Sequence, residues 1–262
     1  PLRVFRHKSI FIHTDRGIRK PSDLRGRRVA VPGYSSTSLT WIRGILQHEY
    51  GVLPNQLEWI LASTESSAKA TGGASKFENI LPKGVSIRGG PQGKDESQLL
   101  VDGDVDAVFH AAEPKAFQDR HPKVARLFSD SRKVEREYYA RTGVFPIMHA
   151  VAVRADLIET HHWIAKAVFE AYSQAKQLAY DEINESAWYT SALPWISHEA
   201  EATRQLMGDN YYSYGVDANR KTLEALLQYA HEQGLAQRKL KIEELFHATT
   251  MQLTESTRQE TS

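Results

Sequence analysis

Three small groups of residues carry side chains able to grip an anion or move a proton. The first is Tyr34-Ser35-Ser36-Thr37, which follows the apolar run Val29-Ala30-Val31-Pro32-Gly33 and precedes a helical stretch. A glycine- and hydroxyl-rich turn from strand to helix offers free backbone N–H groups and the positive end of the helix dipole, which suit a carboxylate or phosphate. Ser36 and Thr37 are the preferred donors, although the same residues would equally serve as a plain N-cap. The second group sets Arg6-His7 against Pro146-Ile147-Met148-His149, far apart in sequence. Histidine exchanges protons near neutral pH and arginine holds carboxylates through paired N–H bonds. If the two segments meet, they supply two imidazoles and one guanidinium; if they do not, His149 is a satisfied strand histidine and Arg6 a surface cation. The third is His110, with Glu113 nearby, at the end of the apolar run Val105 to Phe109. Open α/β sheets place ligand contacts at such strand ends.

Other signals are weaker. His161-His162 points two ways and makes a poor metal pair, and no H-E-x-x-H is present. Neither G-x-G-x-x-G nor G-x-x-x-x-G-K-[ST] occurs, which argues against dinucleotide and P-loop binding. The stretch Trp188-Tyr189-Thr190-Ser191-Ala192-Leu193-Pro194-Trp195 could wall a planar ring, or simply pack helices. The basic runs Arg25-Gly26-Arg27-Arg28 and Arg238-Lys239-Leu240-Lys241 read as solvated surface.

The elements that must position these groups follow an α/β pattern. Ser9 to His13 reads as a strand, Pro21 to Gly26 as a turn, Arg28 to Val31 as a buried strand, and Leu39 to Tyr50 as a helix closed by Gly51. Leu57 to Leu61 and Val85 to Arg88 are further strands, separated by a Ser/Lys/Gly-rich stretch without periodicity. Asp95 to Asp102 suits a short helix stopped by Gly103, before the strand Val105 to Phe109. Gly143 to Val153 reads as a strand despite Pro146. Helices are expected over Ile158 to Asp181, Glu199 to Met207 and Ala218 to Gln233, the last N-capped by Asp217 and stopped by Gly234. The tail from Thr254 is polar and expected to fray. This order implies a discontinuous first lobe, residues 1–14 and 144–262, and a second lobe, residues 15–143. Two strands would cross between them as a hinge, with a ligand cleft between the lobes.

Composition bounds the reading. With 262 residues, 41% of them hydrophobic, the chain can build a core. Lys and Arg total 33 against 32 Asp and Glu, a net charge of +1, so no basic field points to nucleic acid. No cysteine is present, which excludes disulfides, thiolate metal sites and cysteine nucleophiles. No apolar run approaches the roughly 20 residues that cross a bilayer, so no membrane partner is expected. The opening Pro-Leu-Arg-Val-Phe-Arg-His has no leader character and reads as the inside of a strand, so a cytoplasmic location and preceding residues are expected.

Asp23-Leu24-Arg25-Gly26-Arg27-Arg28-Val29-Ala30-Val31-Pro32, the Ser/Thr turn, and Leu100-Val101-Asp102-Gly103-Asp104-Val105-Asp106-Ala107 resemble the second lobe of type II periplasmic-binding-protein folds. Phe5-Arg6-His7, Trp41-Ile42-Arg43-Gly44-Ile45-Leu46, Phe145 to His149, Leu193-Pro194-Trp195 and Tyr214-Gly215-Val216-Asp217-Ala218-Asn219-Arg220, in that order, resemble the 4,5-dihydroxyphthalate decarboxylase family. The resemblance runs over nearly the whole chain, but lacks an initial strand, helix and strand of the family.

That resemblance implies removal of one ring carboxylate as CO₂, with a small aromatic dicarboxylate as substrate. An aryl carboxylate leaves when its carbon is protonated while a para hydroxyl supplies electrons. The site then needs a proton donor over the ring, an acceptor at the phenol, and cationic or N–H donors for the remaining carboxylate. On this basis His149 is the expected general acid and His7 the partner of the phenol, or the reverse. Arg6 and the turn Tyr34, Ser35, Ser36 and Thr37 would hold carboxylate, Arg43 would support or touch it, His110 would line the site, and Trp195 would flank the ring. No cofactor is expected, because the substrate's own hydroxyl is the electron source. A divalent ion on the catechol and His7, His110 and His149 is compatible with the residues, as is a homo-oligomer. A solute-binding protein for a small carboxylate or aromatic anion is the alternative, and it needs no proton donor.

Overall fold

Alternating apolar residues in short strands must be covered on both faces, and that requirement organises the larger part of the chain. The computed structural model describes residues 2–63, 82–185 and 191–255. In chain order its strands are β1 (Leu2–Arg3), β2 (Ile10–His13), β3 (Arg28–Val31), β4 (Glu58–Leu61), β5 (Ser86–Gly89), β6 (Ala107–Phe109), β7 (Val124–Arg126) and β8 (Ile147–His149). Its α-helices are α1 (Thr37–Tyr50), α2 (Glu96–Val101), α3 (Lys115–Gln118), α4 (Ser131–Thr142), α5 (Ala155–Thr160), α6 (Trp163–Asn184), α7 (Ile196–Met207) and α8 (Arg220–Glu232). They fall into two units: Val4–Glu137 with Ala225–Leu240, and Pro1–Arg3 with Tyr138–Glu224 and Lys241–Ser262.

The first of these units is an α/β layer structure around a six-stranded sheet of order β5-β4-β3-β6-β2-β7. β3 runs parallel to β4 and β6, and β4 parallel to β5, whereas β2 runs antiparallel to both β6 and β7. Residue parity sorts the two faces. Val29, Val31, Trp59, Ala107 and Phe109 join Leu39, Ile42 and Leu46 of α1 in one buried cluster. Ala30, Ile60 and Val108 join Leu99 and Leu100 of α2 in the other, with Ala116 and Phe117 of α3 against it. Ile10–His13, expected to cross between lobes, instead lies inside this sheet. All four of its residues are buried, and its two neighbours satisfy its backbone on both sides.

In the second unit, β1 pairs antiparallel with β8, Leu2 opposite His149. The expected strand over 143–153 shrinks to three residues, consistent with Pro146 lacking a ladder donor. The single helix expected over 158–181 is two helices, because His161 leaves helical geometry at φ −133° and ψ 73°. Asp217 does not cap α8; it opens a short 3₁₀ turn and accepts from the Arg220 guanidinium at 3.1 Å. Buried Arg3 ties the unit together. Its guanidinium donates to Phe145 O at 3.4 Å, Ser213 O at 2.6 Å and Asn219 Oδ1. Trp188, Tyr189 and the tail beyond residue 255 lie outside the described residues.

Candidate active site

The sheet of the α/β unit has one edge at which several chemically able segments must meet. Parallel β3 and β6 are neighbours, and the chain leaves β3 for α1 on one face but leaves β6 for α3 on the other. Such a reversal opens a crevice beyond the strand C-termini. Because β2 is antiparallel to β6, its N-terminal end lies at the same edge, and His110 N–H donates to Ser9 O at 3.2 Å there. The topology therefore brings together the turn after β3, the segment from His110 after β6, and Arg6-His7 before β2.

The turn is braced from behind. Ser36 Oγ accepts from Leu39 N–H at 3.4 Å as the N-cap of α1, and Ser35, Ser36 and Thr37 are half-buried. Arg43 is fully buried; its Nη2 donates to Tyr34 O at 2.7 Å and its Nε to Gln233 Oε1 at 2.7 Å. Gln233 in turn donates to Thr40 O at 2.9 Å. The guanidinium carbon lies 3.7 Å from the Tyr34 ring centroid. Arg43 thus shapes the turn through protein contacts. The Tyr34 hydroxyl is buried without a hydrogen-bond partner, and burial pushes its pKa up, which keeps it protonated.

Arg6 is buried and donates through Nη1 to Ala111 O at 3.0 Å. Burial draws its pKa down to about 10, opposed by Glu135, so it remains a cation at neutral pH. The carboxyl of Glu135, on α4, is pushed up by burial, against the Lys8 N–H that donates to it at 3.2 Å and the cations Lys8, Arg126 and Arg6. His7 is 1% exposed, with its ring edge-on to Phe128 at 5.5 Å.

His110 is also 1% exposed. Its Nδ1 accepts from Ala112 N–H at 3.0 Å and lies 2.9 Å from Ala112 O. Its Nε2 is buried and has no hydrogen-bond partner. A buried polar atom left so costs about 1–3 kcal/mol. Glu113, close by in sequence, pairs with Arg126.

The edge therefore gathers Arg6, His7, His110 and the Tyr34–Thr37 turn, which can hold an anion and exchange protons. His149 and Trp195 belong to the other unit, where His149 ends β8 exposed and Trp195, 71% exposed, precedes α7. Among the described residues no group of three or more His, Asp or Glu is placed to hold a metal ion. No helix among them is long and apolar enough to cross a membrane. Glu135 escapes the sequence reading because half of α4 is charged and little of it is apolar. Its one signal is the pair Val134 and Tyr138, four residues apart.

Comparison with known proteins follows the same lines. The chain is 36% identical over 252 residues to 4,5-dihydroxyphthalate decarboxylase of Comamonas testosteroni, covering 96% of this chain and 75% of that protein. It is 34% identical over 139 residues to the protein of that name from Pseudomonas putida, covering 53% of this chain and 52% of the other. No family model matches the chain. Among solved structures it is similar to the periplasmic sulfonate-binding protein SsuA of Methylobacillus flagellatus, at a TM-score of 0.52 and 14% identity. That match covers 91% of this chain and 62% of the other. The likeness shows the fold, that of type II periplasmic binding proteins.

Proposed function

Because the chain belongs to the 4,5-dihydroxyphthalate decarboxylase family, we propose that it is a carboxy-lyase that takes one carboxylate from 4,5-dihydroxyphthalate and leaves 3,4-dihydroxybenzoate. The identity extending over 96% of the chain carries this reading. Arg6, His110 and the Tyr34–Thr37 turn at the sheet edge support the reading as groups able to hold carboxylate. Protonation of the ring carbon bearing the leaving carboxylate draws electrons from the para hydroxyl. The carbon–carbon bond then breaks, CO₂ departs, and the electron pair restores the aromatic ring.

In the proposed assignment His149 donates the proton to the ring carbon and His7 takes the hydrogen bond of the phenol. Arg6 and the Tyr34–Thr37 turn hold carboxylate, Arg43 keeps the turn in shape from behind, and Trp195 flanks the ring. The chemistry needs no organic cofactor, since the electrons come from the substrate. A cytoplasmic location is part of the same proposal.

The test is CO₂ release from 4,5-dihydroxyphthalate by the purified protein, with and without chelator. Turnover that survives chelation is expected; turnover abolished by chelator and restored by a divalent ion would add a metal to the site. A His149→Ala protein should lose at least about a hundredfold in rate, and release at the parent rate would remove its assigned role. The likeness to a sulfonate-binding protein favours one other reading, a receptor for a small anion. Binding without turnover across hydroxylated benzene dicarboxylates would establish that reading instead.

A further inference from the structure

We infer that the Nε2–H of His110 is a built donor for the carboxylate that the substrate keeps, so that His110 sets the requirement for a second ring carboxylate. The inference rests on the proposed decarboxylation. Its ground is the bonding of the ring. Ala112 presents both its N–H, 3.0 Å from Nδ1, and its carbonyl oxygen, 2.9 Å away. A neutral ring that accepts from the N–H carries its hydrogen on Nε2. A protonated ring that donates Nδ1–H to the carbonyl carries a hydrogen on Nε2 as well. Only a neutral ring with its hydrogen on Nδ1 would leave Nε2 an acceptor, and that tautomer would turn the Nδ1–H against the Ala112 N–H that points at it; in the other two states Nε2 is a donor, buried with nothing to accept from it.

The acids of this edge are engaged elsewhere, Glu113 with Arg126 and Glu135 with the Lys8 N–H. The acceptor is therefore left to the ligand. Arg6, bonded to the carbonyl of the adjacent Ala111, brings positive charge to the same segment, which favours an anionic oxygen. Which carboxylate it serves follows from the reaction. The leaving group loses its negative charge on becoming CO₂, so a donor on that group would hold back the ground state. A donor on the retained carboxylate strengthens binding without opposing the reaction.

The test uses phthalate, a dicarboxylate with no hydroxyl to drive decarboxylation, and benzoate as the monocarboxylate control. His110→Asn keeps an oxygen for the Ala112 N–H but removes Nε2. It should bind phthalate about tenfold to a hundredfold more weakly than the parent, with benzoate affinity changed little. In turnover of 4,5-dihydroxyphthalate its KM should rise more than its kcat falls. Phthalate binding equal to the parent's, or a fall in kcat at constant KM, would overturn the inference. If His110→Asn fails to fold, the ¹⁵N signal of His110 Nε2 in the parent decides: it must move on addition of phthalate, and a fixed signal overturns the inference. A parent that binds phthalate through His110 yet releases no CO₂ from 4,5-dihydroxyphthalate would defeat the decarboxylase reading alone.

Discussion

Burial pushes two carboxyls of the α/β unit upward, yet their net pKa shifts are opposite, and their bonding explains why. Asp106 accepts the backbone N–H of Arg28 at 3.0 Å and its Nη2 at 3.1 Å, and Arg16 Nε lies 3.4 Å away. Burial alone would raise its pKa, but the Arg28 and Arg16 contacts hold it below the ordinary value. Its contribution is thus present above the usual carboxylate range and is lost as pH falls through the folded-state pKa. Asp106→Asn should lose about 1–3 kcal/mol at pH 7, measured by urea unfolding, with the loss shrinking toward pH 3. Glu135 has the reverse sign. Its folded pKa is raised, chiefly by burial, so ionisation opposes folding once pH climbs past the ordinary 4.5. Relative to the parent, Glu135→Gln should gain about 2 °C in unfolding midpoint between pH 4 and pH 7. An equal midpoint difference at both pH values would show that burial does not govern this carboxyl.

At the scale of elements, close approach of α1 and α8 depends on one missing side chain. A Cβ on Gly44 would lie 2.1 Å from Tyr229 Cδ2, and that ring is itself stacked 4.9 Å from His48 and edge-on to Trp41 at 5.5 Å. Alanine is the better helix former by about 1 kcal/mol, but overpacking here should outweigh it. Gly44→Ala is expected to destabilise by about 1–3 kcal/mol, and a raised unfolding midpoint would refute the contact. The elements legible in sequence were those with an apolar signature. β3, β4 and β6 are short buried runs, and α1 carries Leu39, Ile42 and Leu46 at helical spacing. α4 was illegible because its buried face amounts to little more than Tyr138, and three-residue β7 is too short to show a period. The break at His161 leaves no mark in an otherwise continuous helical pattern. The site divides the same way. His110 and the Ser36 turn could be placed from strand ends. The contact of Ala112 with Nδ1 could not be read, because it depends on turn geometry. The family resemblance has Arg43 support or touch carboxylate, whereas its partners, the Gln233 side chain and the Tyr34 carbonyl, depend on tertiary placement.

For the molecule as a whole, occupancy of the site is linked to stability. A ligand that binds only the folded chain stabilises it by mass action. With 3,4-dihydroxybenzoate at a hundred times its dissociation constant, the gain is about 2.7 kcal/mol, or roughly 5 °C for a chain of this length. Thermal unfolding with and without the compound measures it, and an unmoved midpoint at saturating concentration would mean that this product is not the ligand.

The brace behind the turn also constrains how the protein is made. Arg43 is bonded to the Gln233 side chain, 190 positions later, so a nascent polypeptide emerging from the ribosome carries this arginine without that bond until the later segment has been translated. Domains normally close in order of synthesis. Here the sheet unit is completed only by the later segment Ala225–Leu240, and chaperone dependence during translation is the expected price of that connectivity.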